Sequence, residues 1–409
     1  MILAAVFISI IFFYSLVSRK LERTVLTGPI VFTAAGVLTS LFLPVISNQE
    51  VNQKALLFIA EIGLVLLLFT DASRIGLKEL LNIRRLPTRL LSVGMLLTIF
   101  LGAVAALIVF PQLSIWEAGI LSAILAPTDA GLGQVIVSSP RVPMHIRSAL
   151  NVEAGLNDGM SVPFLMFFMA MAQAGTAGSG ILPRFLMEQL GFGVAIGLAI
   201  GLAGGWLLGK AHKNGWMSES FEQLGLVTLP VLSMISSEPS GASMFIISFV
   251  AGMATQVGFK EAGKRSIEFT EGWGQLFNYF VFFLLGVMVP LAWDKFGAAF
   301  FVYAALSLTV VRMLPVAIAL TGTGLSKATV LFMGWFGPRG LASIVLGLVY
   351  IEQETHLPGE PIIRIAVMLT VLCSIFAHGL SALPGINLYA GKVSTFPADA
   401  PELQDSNAA

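Results

Sequence analysis

Three short segments carry the residue types that could do chemistry in this chain. The first, NVEAGLNDG, brings Glu153, Asn157 and Asp158 close together. Glu153 and Asn157 are four apart, so on a helix they share a face, and Asp158 falls beside the Ala154 row. No Lys or Arg lies within a helical turn of Asp158. Its partner must therefore come from another helix, a cation or a proton. Burial disfavours the charged form of a carboxyl, so such a group can hold a proton near neutral pH and release it when a cation arrives. The second segment, LAPTDAGLGQ, sets Thr128 and Asp129 between Pro127 and the glycines Gly131 and Gly133. The third, GWFGPRGLAS, sets Arg339 among Gly337, Pro338 and Gly340. Proline cannot continue a helical ladder and glycine weakens one, so both segments read as interrupted helices. A broken helix leaves ends with unpaired backbone groups and partial charges of about half a unit. Asp129 is expected to offset N-terminal ends at its break, and Arg339 to offset C-terminal ends at the other. Either could also touch a substrate.

The rest of the chain must place those groups in an apolar setting. Of 409 residues, 56% are hydrophobic and only 11% charged, against about 45–50% and about 25% in an ordinary soluble domain. That excludes a soluble globular protein and a disordered chain. Basic and acidic residues balance at 23 each, so no net field favours a nucleic acid. Cys373 is the one cysteine, and a single thiol forms no internal disulfide. A membrane-crossing helix needs about 20 mostly apolar residues. Thirteen stretches meet that need, roughly 1–17, 25–46, 54–71, 88–110, 115–138, 147–172, 185–209, 222–238, 241–258, 273–293, 296–321, 327–350 and 362–385. They are too long and too uniformly apolar for a β-barrel, whose strands alternate over about ten residues. The expected fold is therefore an all-α polytopic membrane protein with 13 transmembrane helices.

Lys and Arg placement gives the orientation. With the N-terminus outside, the outer loops hold only Lys54, Arg184, Lys295 and Arg364. Arg312 and Arg339 fall within stretches, and all other basic residues face the cytoplasm. The first stretch lacks a basic leader and a small-residue cleavage site, so it reads as a retained helix. The polar tail, 394–409, is expected to be disordered and cytoplasmic. Taking the seventh stretch as a connector puts both interruptions in the fifth helix of each half. The halves start on opposite sides, so they form two inverted six-helix repeats with broken helices 5 and 12. Paired broken helices in such repeats point to a transporter's binding site.

Ionisable groups inside spans are costly and default to functional candidates. Besides those above, they are Glu61 and Arg312; Asp71 is expected at a helix end within reach of water. Arg312 could form a permanent ion pair with an acid of the sixth stretch. Gly193, Gly197, Gly201, Gly205 and Gly209 form a stripe for close helix packing. His378 is expected to be a packed, hydrogen-bonded residue, and His145, His212 and His356 fall in loops and suggest no metal site. No Walker-type loop is present, so ATP does not drive the protein directly.

APTDA in a broken fifth helix, NVEAGLNDG in the sixth and GPRG in a broken twelfth, with LVLLLFTDASRI in the third, together resemble the monovalent cation:proton antiporters. The likeness is to the branch of NhaP-type bacterial proteins and animal sodium/proton exchangers, and it covers all thirteen stretches. It implies a transmembrane antiporter domain over 1–393. Within it, an interface part would cover roughly 1–71 and 222–293, a core part roughly 88–172 and 296–385, and a bridging helix 185–209. It implies a homodimer in the plasma membrane (the inner membrane of a bacterial cell) and elevator-like alternating access. The substrates would be a monovalent cation and a proton, with no enzymatic step and no bound cofactor. The biological role would be pH and cation homeostasis.

Residue by residue, Asp158 is similar to the family's cation- and proton-binding aspartate, with Asn157 as its neighbour. Thr128 and Asp129 match the helix 5 pair, and Asp158, Thr128 and Asp129 would hold Na+. Glu153 and Arg312 correspond to the family's buried ion pair, and Arg339 to its helix 12 arginine. Many members carry Ser where this chain has Ala154, so one oxygen ligand is lost. Asn-Asp rather than Asp-Asp at 157–158 implies electroneutral exchange. The expected activity is thus one Na+, Li+ or K+ for one H+. The alternatives are a sodium-coupled organic-anion symporter, whose substrate could sit at the broken-helix N-termini, and an intramembrane aspartyl protease using Asp129 and Asp158.

Overall fold

Without water, a backbone can satisfy its own N–H and C=O groups only in a helix or a closed barrel, and the described part of this chain takes the helix. A computed structural model describes residues 2–21, 24–43, 53–74, 85–177, 187–260, 262–352, 356–397 and 400–403. Among them every regular element is helical. In order these are α1 (Ile2–Leu21), α2 (Gly28–Phe42), α3 (Gln53–Arg74), α4 (Leu86–Val109), α5 (Ile115–Ile124), α6 (Ala130–Val137), α7 (Met144–Ala177) and α8 (Gly193–Lys213). There follow α9 (Glu219–Ser240), α10 (Met244–Gly258), α11 (Ala262–Leu291), α12 (Ala298–Leu308), α13 (Val310–Ala319), α14 (Lys327–Trp335), α15 (Leu341–Glu352) and α16 (Glu360–Val393).

Among the described residues α1, α4, α8, the joined α12–α13 and α16 are long and apolar enough to cross a membrane. The thirteen expected stretches do not map singly onto continuous helices. Stretch 115–138 is two helices, α5 and α6, and stretch 327–350 is α14 and α15. In both, proline and glycine stop the ladder where the sequence places them. The stretch 147–172 lies within the longer α7, which continues through Pro163.

The chain divides into two compact units, residues 1–53, 84–157 and 279–409 in one and residues 54–83 and 158–278 in the other. This cut differs from the expected core and interface parts. Residues 1–53 group with the elements that carry the breaks, and α7 is shared, with Asn157 its last residue in the first unit. The first unit packs α4, α6, α7, α13, α14 and α16 around Ile146, Val316, Met333 and Ile386. In the second, the five glycines of α8 are all buried. Cβ atoms at Gly201 and Gly205 would overlap the carbonyls of Ala251 and Thr255 on α10. Only a bare backbone permits that approach. Helix α10 is also tied to α3, by Ser248 Oγ donating to the Val65 carbonyl at 2.8 Å.

The expectation of a disordered tail fails at residues 400–403; residues 398–399 and 404–409 lie outside the described residues. Glu402 is 2% exposed. Its Oε1 accepts the Ser326 N–H at 2.7 Å and the Thr329 hydroxyl at 2.8 Å. Ser326 is the N-cap of α14, so the tail adds a carboxylate to a helix N-terminus, where negative charge is stabilising. Composition suggested disorder because it does not reveal this single buried anchor.

Burial pushes the Glu402 carboxyl up, but the hydrogen bonds from Ser326 and Thr329 outweigh it and hold it below its ordinary 4.5. Its stabilisation is therefore full above about pH 4.5 and fades as pH falls through the lower folded value. E402Q should unfold at a lower temperature than the parent at neutral pH, by about 1–2 kcal/mol of stability. The gap should close as pH falls below that lowered value. Thermal unfolding of the detergent-solubilised proteins across pH checks this.

Candidate functional site

The two interruptions meet in the first unit. Helix α5 starts on a capping box, with Ser114 and Glu117 each accepting the other's backbone N–H. It ends at Leu125, and the chain runs extended to Asp129, the N-cap of α6. Helix α14 ends at Trp335, and the chain reaches α15 through Phe336 to Gly340. The extended pieces touch where the Asp129 N–H donates to the Pro338 carbonyl at 2.8 Å.

The charges at the breaks serve across this crossing. Asp129 Oδ1 accepts the Leu132 N–H at 2.8 Å, inside its own helix α6. Its Oδ2 accepts the Leu341 N–H at 2.5 Å, at the first residue of α15. One carboxylate thus caps two helix N-termini. Arg339, fully buried, donates from Nη1 to the Ala126 carbonyl at 2.6 Å and the Pro127 carbonyl at 3.1 Å. Those carbonyls follow α5, so Arg339 serves the C-terminal end of the other break and not its own as expected. The cause is the crossing, which puts that end within reach of its side chain.

Helix α7 delivers the other candidates. Glu153 and Arg312 of α13 form a buried bidentate pair, Nη1 to Oε1 at 2.5 Å and Nη2 to Oε2 at 3.0 Å. One turn on, Asn157 Nδ2 donates to Thr128 Oγ1 at 2.7 Å, while Asn157 Oδ1 is buried with no hydrogen-bond partner among the described residues. A cavity of about 10 Å³, room for about one water molecule, is lined by Thr128, Asp129, Glu153, Ala154, Phe336 and Pro338 among others. Asp158 is the next residue of α7 and is 6% exposed. Ala154, one turn before it on the same face, offers the cavity a methyl group.

The structure thus brings Thr128, Asp129, Glu153, Asn157, Arg312 and Arg339 together. Each oxygen of Asp129, expected as an ion ligand, accepts a backbone N–H. Glu61 is buried on α3, and Asp71 is buried too rather than at a wet helix end, since α3 continues to Arg74. His212, expected in a loop, lies in α8 and contacts Glu222 at 3.2 Å. Sequence reasoning missed Glu117, whose Oε1 accepts the Gly359 N–H at 2.6 Å and so ties the start of α5 to that of α16. The S-x-x-E spacing of its capping box was the available signal. It also missed Ser374, which accepts the Arg339 N–H at 2.7 Å.

Two substitutions probe the crossing. A Cβ at Gly340 would fall on the Asp129 carboxylate, so Gly340→Ala should cost at least about 2 kcal/mol of stability. Glu153→Gln leaves the Arg312 charge buried without its counter-ion and should cost about 3–5 kcal/mol. Replacing the pair together, Glu153→Leu with Arg312→Met, should recover most of that loss. Thermal unfolding of the purified variants gives all three values.

Comparison with known proteins agrees with this geometry. A family profile described as "Sodium/hydrogen exchanger, transmembrane" matches residues 5–385. A Na(+)/H(+) antiporter of Schizosaccharomyces pombe is 25% identical over 309 residues, 66% of this chain and 64% of that protein. The uncharacterized Na(+)/H(+) exchanger YjcE of Escherichia coli is 29% identical over 195 residues, 44% of this chain and 34% of that one. A K(+)/H(+) antiporter NhaP2 of Shewanella is 23% identical over 280 residues, 65% and 46%. The chain therefore spans less than two thirds of the length of these relatives. The sodium proton antiporter MjNhaP1 of Methanocaldococcus jannaschii shares the fold, with a TM-score of 0.71 at 18% identity over 93% of this chain and 99% of that one. With a profile of membrane-embedded transporters matching nearly its whole length, and two broken helices crossing at buried charges, the chain belongs to the sodium/hydrogen exchanger family.

Proposed function

We propose that the protein exchanges a monovalent cation for a proton across the plasma membrane, with both competing for Asp158. Na+ is the first candidate, and Li+ and K+ are the others. The supporting observation is the Asn157–Thr128 contact. It fixes the residue before Asp158 to the extended piece of a broken helix and leaves the Asn157 carbonyl oxygen buried without a hydrogen bond. Hard cations select compact sets of oxygen ligands. We assign the cation to the Asp158 carboxylate, with Thr128 and Asn157 in support, as the family resemblance implies. Water or a backbone carbonyl fills the place that Ala154 leaves without a hydroxyl. The nearby acids are committed elsewhere, Glu153 to Arg312 and Asp129 to two helix ends. Asp129 acts on the ion indirectly, by holding the break that presents Thr128.

One carboxylate that carries either a cation or a proton has the same charge in both loaded states, so exchange is one for one and electroneutral. We read the chain as thirteen spans in inverted repeats, with the N-terminus outside and the C-terminus in the cytoplasm. It works as a homodimer in which the crossing is carried past a stationary interface part. Binding of an organic anion at the breaks is disfavoured, because the Asp129 carboxylate already occupies the N-termini of α6 and α15.

In proteoliposomes, an imposed Na+ gradient should move protons, and acidification should weaken the apparent affinity for Na+. Asp158→Asn should reduce this to background while leaving the protein folded; parental transport by that variant would end the reading. A membrane potential alone should drive no net flux. Comparing Na+, Li+ and K+ under these conditions gives the selectivity.

A further inference from the structure

We propose that His378 is a positioning residue that fixes the broken end of α14 and, through it, Arg339. The transport arm of the test below rests on the exchange reading; the structural arm does not. His378 lies in α16, 2% exposed. Its Nε2 is 2.8 Å from the Trp335 carbonyl, which is at the last residue of α14. A carbonyl only accepts, so Nε2 carries the hydrogen. Its Nδ1 is 3.0 Å from the Ser374 carbonyl and 3.2 Å from Ser374 Oγ, one turn earlier on α16. Ser374 Oγ accepts the Arg339 N–H at 2.7 Å.

The contacts therefore link the Arg339 amide to Ser374, Ser374 to the imidazole, and the imidazole to the Trp335 carbonyl. The line joins the residue that ends α14 to the residue that carries the guanidinium, across Phe336, Gly337 and Pro338. These are the orphan backbone groups that any helix break creates. The ring is held further by stacking on Trp335, with centroids 5.0 Å apart and planes at 28°. The indole is in turn fixed by Nε1 donating to Ser381 Oγ at 2.9 Å. Helix α16 thus acts as a splint for the break, and His378 and Ser374 are its two fastenings.

The consequence for the site follows from Arg339. Its guanidinium holds the Ala126 and Pro127 carbonyls, which lead directly into Thr128. Loosening the splint displaces an oxygen offered to the cation but none that takes the proton. The predicted signature is a change in cation affinity without a change in proton dependence. A proton relay through His378 would give the reverse.

The test uses His378→Gln, His378→Ala and Ser374→Ala in the full chain. Gln keeps a donor near the Nε2 position; Ala keeps nothing. Hydrogen exchange of the 336–341 peptide backbone should speed up by about tenfold in His378→Ala and Ser374→Ala, as for a lost buried hydrogen bond. It should stay near the parental rate in His378→Gln. In proteoliposomes, KM for Na+ should rise about five- to tenfold in His378→Ala, with kcat and the midpoint of the pH profile unchanged. His378→Gln should return toward parental KM. Parental exchange and parental KM in His378→Ala would overturn the proposal. So would loss of a limb of the pH profile in His378→Gln, which would make the ring a proton carrier. If His378→Ala does not fold, the other two variants decide: equal exchange rates in Ser374→Ala and parent would also overturn it. A parent protein that fixes the break as described but exchanges no cation for protons would defeat the exchange reading alone.

Discussion

Four helix ends meet where two interrupted helices cross, and their backbone groups must find partners away from water. This requirement governs the arrangement around the site. Each helix end leaves several backbone groups without intrahelical partners, and hydrocarbon offers none. The chain meets the demand with few side chains. Asp129 is short enough to cap α6 in the usual N-cap geometry, and its second oxygen remains available for the first amide of α15. Arg339 works oppositely, since a guanidinium is a fork of donors with no acceptor and suits a pair of carbonyls. The glycines follow from the same demand. Side chains at Gly337 or Gly340 would occupy the space taken by Arg312 and Asp129.

The Glu153–Arg312 pair plays a different part. A buried ion pair is weak evidence for stability, because desolvation of both groups offsets most of their attraction. Its geometry says more than its energy. The bidentate contact fixes the rotation of α7 about its own axis relative to α13, and that rotation points Asn157 toward Thr128. Asp158, five residues on, lies on a different row of α7 from Glu153.

The acids, the arginines and both interruptions were legible in the sequence because each is an exception to its surroundings. A proline with glycines inside an apolar stretch, or a lone charge there, has few explanations. What was not legible is where the partners lie. That Arg339 would serve the carbonyls after α5 depends on the crossing, which no local pattern encodes. Ser374 looked like any small residue in an apolar helix, and its importance comes from facing a backbone amide 35 positions earlier. Glu402 shows the opposite error. The composition of residues 394–409 is that of a disordered tail, and one carboxylate docked on Ser326 and Thr329 is enough to defeat that reading locally.

The exchange of charges between the breaks also constrains how the site can move. Had each break satisfied its own ends, the two could shift independently, and a carrier could open by parting them. Here Asp129 reaches α15, its amide reaches Pro338, and Arg339 reaches the end of α5. Separating the breaks would leave several backbone groups unpaired at once, at a cost of a few kcal/mol for each. Relocating the crossing intact breaks none of these bonds. Oxygens carried on such a piece keep their spacing as long as the crossing stays whole.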